Sequence, residues 1–445
     1  MTTKPIAALL GLVLSATLVM PADAITLSEA MERALQQDPR VAQLESNYQA
    51  DIERAEQRLA SRRATVSAFA DTTLRRDHSR SEFFGNTSEG YAAFALGVEA
   101  RQPLYRRDWS ERERQASAIV DQAGGQRDNQ RQLYLLQLAE RYFAVLAERE
   151  NLHLAETEVE TVARSLQDTR QRYEAEVIAA TDLREAEARD DLARARLLAA
   201  EQQLDDARQG LQEMIGSFDN LPQLRLQNPE AMLDQQRSLE QWQTLASQAS
   251  PALASARAAV TVGEGELASV RSQSSAQLDL FSRLAHQDNS GSMIGQRATE
   301  AVVGVELVLP LYSGGADRAA SRQAAAAISS AEFELAALQR ELARRVAAAW
   351  RARQVAARQV EAFGAVVRSA EAAEQAVRNG FEAGSRTMLE VLDASRATVE
   401  AERDLLASRY QLILSQLSLE QLAGELSPAR FAEVDQWLVY PEGDA

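Results

Sequence analysis

Glu390 and Asp393 stand three residues apart just after a glycine-bearing turn, so on a helix both carboxylates share one face and point into whatever that face borders. In open solvent the same pair would simply complement the positive end of the helix dipole. Arg386 lies one helical turn before Glu390, and Phe381 adds an aromatic ring to the same short stretch. Gly380 and Gly384 supply the φ > 0 freedom that a tight helix-to-helix reversal needs. Residues 172–183 repeat this stretch. Tyr173 aligns with Phe381, Glu174-Ala175 with Glu382-Ala383, and Asp182 with Glu390, all at one constant offset, so the chain is a tandem duplication with two equivalent turns.

Other chemistries find little support. The histidines His78, His153 and His286 are scattered singly, without the spacing of a metal site or a catalytic group, so no metal, cofactor or enzymatic activity is expected. No phosphate-binding G-x-x-x-x-G-K loop occurs, so the chain carries no such motif for nucleotide hydrolysis. A net charge of −17 argues against nucleic acid, whose phosphates need a basic footprint. The absence of cysteine excludes disulfides, thiolate metal sites and an acylated N-terminal anchor.

Long elements must position the turns. Glycine and proline are sparse in a chain dominated by Ala, Gln, Glu, Arg and Leu, a bias toward long helices. Residues 1–24 combine Lys4, an apolar run and Ala22-Asp23-Ala24, the pattern of a secretory signal peptide. The first repeat spans 25–216 and the second 239–424, each in the order helix, strand, polar loop, strand, very long helix, turn, helix. Residues 217–238 read as a linker with Pro222 and Pro229, and 425–445 as a short tail. The opening helix of each repeat is broken at a matching proline, Pro39 and Pro251. Leu138, Val145, Leu152, Val159, Leu166 and Tyr173 recur every seventh residue, as do Leu392, Val399, Leu406 and Ile413, so these helices should wind around neighbours. Running from about Asp108 to Tyr173 and from about Ala316 to Arg378, the long helices would reach roughly 90 to 100 Å. The turns fall near 174–181 and 379–387.

Period-two alternation marks strands at 65–76, 91–102, 276–285 and 300–309, with surface loops at Asp77 to Gly90 and His286 to Arg297. These strands have the length of tilted membrane-spanning ones, although an amphipathic hairpin on a soluble domain would show the same pattern. Pro103 with Tyr105 and Pro310 with Tyr312 mark matching exits, where proline ends the pairing. In lipid an open sheet edge costs several kcal/mol per unpaired backbone group, and closure needs about eight strands, so four per chain would require strands pooled between copies.

The duplicated layout, the Pro-Leu-Tyr exits, Tyr312-Ser313-Gly314-Gly315, and Phe381-Glu382-Ala383-Gly384-Ser385-Arg386 with Glu390-Val391-Leu392-Asp393-Ala394 together resemble the TolC family of outer-membrane channel proteins. Within it, the branch serving type I secretion and multidrug efflux is the nearest. The resemblance implies a mostly helical fold with a membrane β-barrel: a homotrimer whose twelve-stranded barrel sits in outer-membrane lipid and continues as a periplasmic α-barrel. It implies a passive gated exit duct, taking secreted polypeptides or drugs from an inner-membrane ABC or RND-type pump through a periplasmic adaptor (membrane fusion protein). By the same resemblance Glu390 and Asp393 ring the constriction. Arg386 on one side and Thr181 with Asp182 on the other link the helix pairs. Phe381 lacks the hydroxyl of the family's tyrosine, so one closing link is expected to be missing, and Glu176 stands where the first turn usually has glycine, so that bend is expected to differ in geometry. The alternatives are a multidrug or metal-cation efflux channel, or a soluble periplasmic coiled-coil adaptor or structural protein.

Overall fold

The computed structural model describes residues 25–81, 85–218, 225–226, 237–289, 297–436 and 438–439. The expected signal peptide, most of the linker and the last residues of the tail lie outside them. In chain order the elements are α1 (Leu27–Gln37), α2 (Pro39–Ala60), β1 (Thr65–Ser81), β2 (Gly85–Tyr105), α3 (Trp109–Glu174), α4 (Ala180–Ile215), β3 (Arg225–Leu226), α5 (Leu239–Ala249), α6 (Pro251–Gln273), β4 (Gln277–Asp288), β5 (Arg297–Val308), α7 (Ala316–Glu382), α8 (Met388–Ala423), α9 (Pro428–Asp435) and β6 (Leu438–Val439).

Helix starts are set by local chemistry, and the duplication repeats it. Thr26 and Glu29 close a capping box on α1, as Ser238 and Gln241 do on α5, and Pro39 and Pro251 occupy the first turns of α2 and α6. The long helices α3 and α7 have 66 and 67 residues, and each runs on into its turn at Glu174 and Glu382. Of the first heptad series, Leu138, Val145 and Leu166 are buried while Tyr173 is exposed near the turn. Leu392 and Ile413 of the second series are buried too.

The main core lies midway along the helices. Leu138, Tyr142 and Phe143 of α3 meet Leu27 and Met31 of α1, Leu211 and Met214 of α4, and Ile413 and Leu417 of α8. The segment expected as a tail supplies part of it: α9 buries Phe431 and Val434 completely. Its Asp435 accepts hydrogen bonds from the Leu27 amide at 2.8 Å and the Ser28 amide at 3.0 Å, so a carboxylate from the last helix caps the first. Sequence reading missed this helix because eight residues with two apolar anchors carry no periodic signal. Arg430 of α9 also reaches Glu420 of α8 at 2.7 Å. Nearby, the Tyr134 hydroxyl donates to buried Asp38 at 2.7 Å. Burial pushes the Asp38 carboxyl up, but donors from the Arg40 side chain and amide and from Tyr134 outweigh it and hold the group below its usual range.

The four strands of the repeats form one antiparallel sheet in the order β1-β2-β4-β5, joined across the duplication by β2 and β4. They are longer than the alternation suggested. Pairing runs from Thr65↔Arg101 to Ser81↔Gly85, taking in most of the expected loop, because backbone pairing continues after the side-chain pattern has turned polar. On one face Val66, Leu74, Leu96, Val98, Leu284, Val303, Val305 and Leu307 are all exposed in the single chain. The opposite face carries Arg101, whose guanidinium meets Glu306 at 2.8 Å and Asp279 at 3.4 Å, and Arg283 stacked on the Phe69 ring. An apolar face that nothing in the chain covers, backed by a charged one, is the pattern of a barrel strand with lipid outside and water inside. Phe69 lies over Gly97 and Phe281 over Gly304; a β-carbon at Gly97 would also come within 2.5 Å of the Leu284 carbonyl oxygen, which holds β2 close to β4.

Replacing Phe431 by Ala should lower unfolding stability by about 3 to 5 kcal/mol, the usual cost of emptying a buried aromatic site. A urea titration of the detergent-solubilised protein, followed by circular dichroism, reads it as an earlier midpoint.

Candidate functional site at the helix turns

The two turns are closed by the same backbone bonds. After α7 the Ser385 amide donates to the Gly380 carbonyl at 2.8 Å and the Gly384 amide to the Phe381 carbonyl at 2.9 Å. After α3 the Val177 amide donates to the Arg172 carbonyl and the Glu176 amide to the Tyr173 carbonyl, both at 2.9 Å. Each pair is a Schellman closure, which requires a left-handed residue just past the helix. Gly384 takes it with φ 73° and Glu176 with φ 58°, so glutamate adopts the glycine conformation at a steric penalty and the expected change of bend does not occur. Gly380 corrects the sequence reading: it is helical and has no positive φ. Glycine is needed there because a β-carbon would come within 2.7 Å of Arg386 Cγ.

Thr387 caps α8 and accepts from the Glu390 amide at 3.3 Å, while Glu390 accepts from the Thr387 amide at 2.7 Å and hydroxyl at 3.0 Å. Arg386 adds a bond to the second Glu390 oxygen at 2.6 Å. The Thr387 amide first, then the Arg386 guanidinium, hold the Glu390 carboxyl below the usual glutamate value. Arg386, in the turn, is therefore engaged by the first turn of α8, and no ion pair joins it to Asp182 within the chain, among the described residues. Glu390, four residues along the chain, takes the guanidinium that was expected on Asp182, which lines the same cavity. Asp182 has the Thr181 hydroxyl at 3.4 Å.

Asp393 is not free either. Its carboxylate accepts from Arg189 Nη1 at 2.8 Å, a link from α8 of the second repeat to α4 of the first. Phe381, without a hydroxyl to donate, instead receives the Arg172 guanidinium over its ring at 5.1 Å. A cavity of about 360 Å³ between the two helical hairpins gathers Arg172, Asp182, Arg189, Phe381, Arg386 and Leu392 on its walls. The structure thus brings Asp182, Phe381 and Arg386 together and adds Arg172 and Arg189, to which the sequence reading gave no role. Neither carried a local signal, since the partner of each lies in the other repeat.

The strand exits lie at the other end of the long helices. Pro103 does not end β2; the strand continues to Tyr105 through a shift of register beside it, a bulge that tolerates the missing amide. β5 stops at Val308, before Pro310, and Tyr312 stands almost fully exposed. Among the described residues no helix is long and apolar enough to cross a membrane.

Residues 30–217 and 242–425, one stretch in each repeat, match the family described as outer membrane efflux protein. The chain is 29% identical to outer membrane protein TolC of Vibrio cholerae over 97% of its own length and 98% of that protein. It is 26% identical to the alkaline protease secretion protein AprF of Pseudomonas aeruginosa, over 91% of this chain and 86% of the other. Among solved structures, the outer membrane protein VceC of Vibrio cholerae superposes with a TM-score of 0.74 at 16% identity, covering 89% of this chain and 96% of that one.

The two turns predict opposite responses to one kind of change. Glu176→Gly should stabilise the first turn by about 0.5 to 1 kcal/mol, the relief of strain less the extra freedom of unfolded glycine, and Gly384→Ala should cost about 1 kcal/mol. Hydrogen exchange at the Val177 and Ser385 amides reports the two closures separately, slower in the first variant and faster in the second.

Proposed function

This chain belongs to the outer membrane efflux protein family, and from that premise we propose that three copies pool their sheets into a twelve-stranded barrel serving as the exit duct of a tripartite export system. The protein is an outer-membrane efflux channel of the TolC type. The observation that carries the assembly is the β1-β2-β4-β5 sheet, with an exposed apolar face, a charged opposite face and two outer edges without partners among the described residues. Four strands fall short of the roughly eight that close a barrel, and a ring of identical chains is the simplest closure. The lumen continues between helices about 100 Å long, enough to reach deep into the periplasm.

No phosphate-binding loop is present in the sequence, so the duct is passive and takes its cargo from an inner-membrane ABC or RND-type pump through a periplasmic adaptor. We assign it no catalytic step. For cargo we favour secreted polypeptides, supported by relatives named for the secretion of alkaline protease and of proteases. Efflux of small molecules is the second reading, since a relative from Brucella suis is named an outer membrane efflux protein. The gate in this reading is the second-repeat turn: Glu390 and Asp393 approach the three-fold axis, and Arg386, Phe381, Thr181 and Asp182 lie between the helix pairs. Asp182, with no ion pair in its own chain among the described residues, is left for a guanidinium of the neighbouring copy. Docking of adaptor and pump would part these contacts and let the inner helices swing outward.

Reconstituted in a planar bilayer, the full chain should conduct, and Asp182→Ala should raise its conductance. Deletion from the native cell should remove a polypeptide from the medium. Loss of drug tolerance with an unchanged set of secreted proteins would favour the second reading, and recovery of the mature protein in the soluble periplasm would reject the channel.

A further inference from the structure

The sheet repeats one aromatic device, and its two copies are finished differently. Phe69 on β1 and Phe281 on β4 stand at the same separation as Pro39 and Pro251, so they are equivalent residues of the two repeats. Each pairs directly with a glycine on the next strand, Phe69 with Gly97 of β2 and Phe281 with Gly304 of β5. A β-carbon on those glycines would come within 2.8 Å and 2.7 Å of the ring tips, so each ring lies down across the neighbouring strand and turns its other face to the charged, lumen side of the sheet. Over Phe69 that face is taken: the Arg283 guanidinium sits 4.7 Å from the ring centroid. Arg283 reaches it from β4, the strand beyond Gly97, where it stands opposite Glu99. No guanidinium or ammonium lies over Phe281, among the described residues. Arg101, its cross-strand neighbour on β2, is drawn instead to Glu306 at 2.8 Å and Asp279 at 3.4 Å. Whatever covers Phe281 must come from beyond β5, and β5 is an edge of the sheet. In the ring of copies proposed above, β1 of the next copy lies there. Repeating the β2–β4 register across that seam sets Asp71 at the place that Arg283 holds over Phe69, and the acid then faces Glu306 where Arg283 faces Glu99. Two like charges stand opposite each other in place of two unlike ones.

We propose that Phe281, Glu306 and Asp71 of the next copy form an open seat for a cationic side chain in the barrel wall, one at each seam between copies, and that arginine or lysine of a passing polypeptide rests there in transit. The inference rests on the pooled barrel and on secreted polypeptides as its cargo. The aromatic face selects the group: it attracts a guanidinium or ammonium, as Phe69 holds Arg283 within the chain. The acids add a field of matching sign. Phe281 is half-buried and Asp71 exposed, so the seat is shallow and water reaches it. A side chain is held there briefly and released, which suits a wall that a long cargo must slide past.

The test uses the full chain in planar bilayers with two unstructured peptides, one of glycine and serine and one with arginines spaced along it, and reads the duration of current blocks. The acids of the helix turns are the same in every variant, so differences between variants isolate the barrel. Blocks by the arginine peptide should last about two- to five-fold longer in the parent than in Phe281→Leu, the factor that a cation over an exposed ring supplies. Blocks by the neutral peptide should not change, and Phe281→Tyr should match the parent. Asp71→Asn should shorten the arginine blocks as well. Arg283→Gln should lengthen them by uncovering Phe69, and adding Phe69→Leu should undo the gain, which a simple loss of charge would leave in place. This last pair carries the test if Phe281→Leu does not assemble. Arginine blocks that ignore Phe281→Leu or Asp71→Asn, or that shorten only in step with the neutral ones, overturn the seat and leave the channel standing. A parent that conducts but admits neither peptide overturns the polypeptide reading and the seat with it; a parent that does not conduct overturns the channel reading itself.

Discussion

Two rows of backbone amides and carbonyls, along the outer edges of β1 and β5, decide most of what this molecule can be. Each strand pairs on one side only among the described residues, and both lie in a sheet whose apolar face is uncovered. In water such edges invite aggregation; in lipid each unpaired group costs several kcal/mol. Pairing with further copies of the same sheet answers both, and the antiparallel order lets β1 of one chain meet β5 of the next. A closed ring follows, with a lumen whose charged lining comes from the face bearing Arg101, Asp279 and Glu306. The helices are bound to the same symmetry, since each long helix leaves the sheet directly. The turns lie at their far ends, where the proposed gate is placed.

The parts legible in the sequence were those governed by period or by copying. Alternation found all four strands and sevenfold spacing found the helices, because each pattern reports which face of a regular element is buried. The duplication found the two turns. What the sequence did not disclose were pairings between elements whose relative register is unknown before folding. Arg189 and Asp393 are separated by 204 residues, and nothing in either neighbourhood marks the other. Within the chain, among the described residues, Arg386 pairs with Glu390 and not with Asp182, because a glutamate four residues along the chain competes at little cost in chain entropy. The helix α9 escaped notice because its stability comes from the pocket that receives Phe431, not from a pattern of its own.

The two turns share their backbone closure but differ in what their side chains do. Glu176 looked like a change of geometry, yet two hydrogen bonds to the end of α3 accompany the left-handed conformation there, at a steric penalty for glutamate. Side chains were not so bound. Ala179 begins α4 without a side-chain cap, while Thr387 at the matching place begins α8 with a full capping box. The cap draws Glu390 onto its own helix start, and because donors lower its pKa, the interaction persists below the ordinary glutamate range and is lost only as pH falls through that depressed value. Asp182, its counterpart, is committed to no helix end and to no cation in its own chain, among the described residues. One copied acid thus stiffens the segment that carries it, and the other stays available to a neighbour. The proposed gate needs both properties, a hairpin rigid enough to move as a unit and contacts weak enough to be parted. The two turns differ in just these side-chain roles while sharing the same backbone hydrogen bonds.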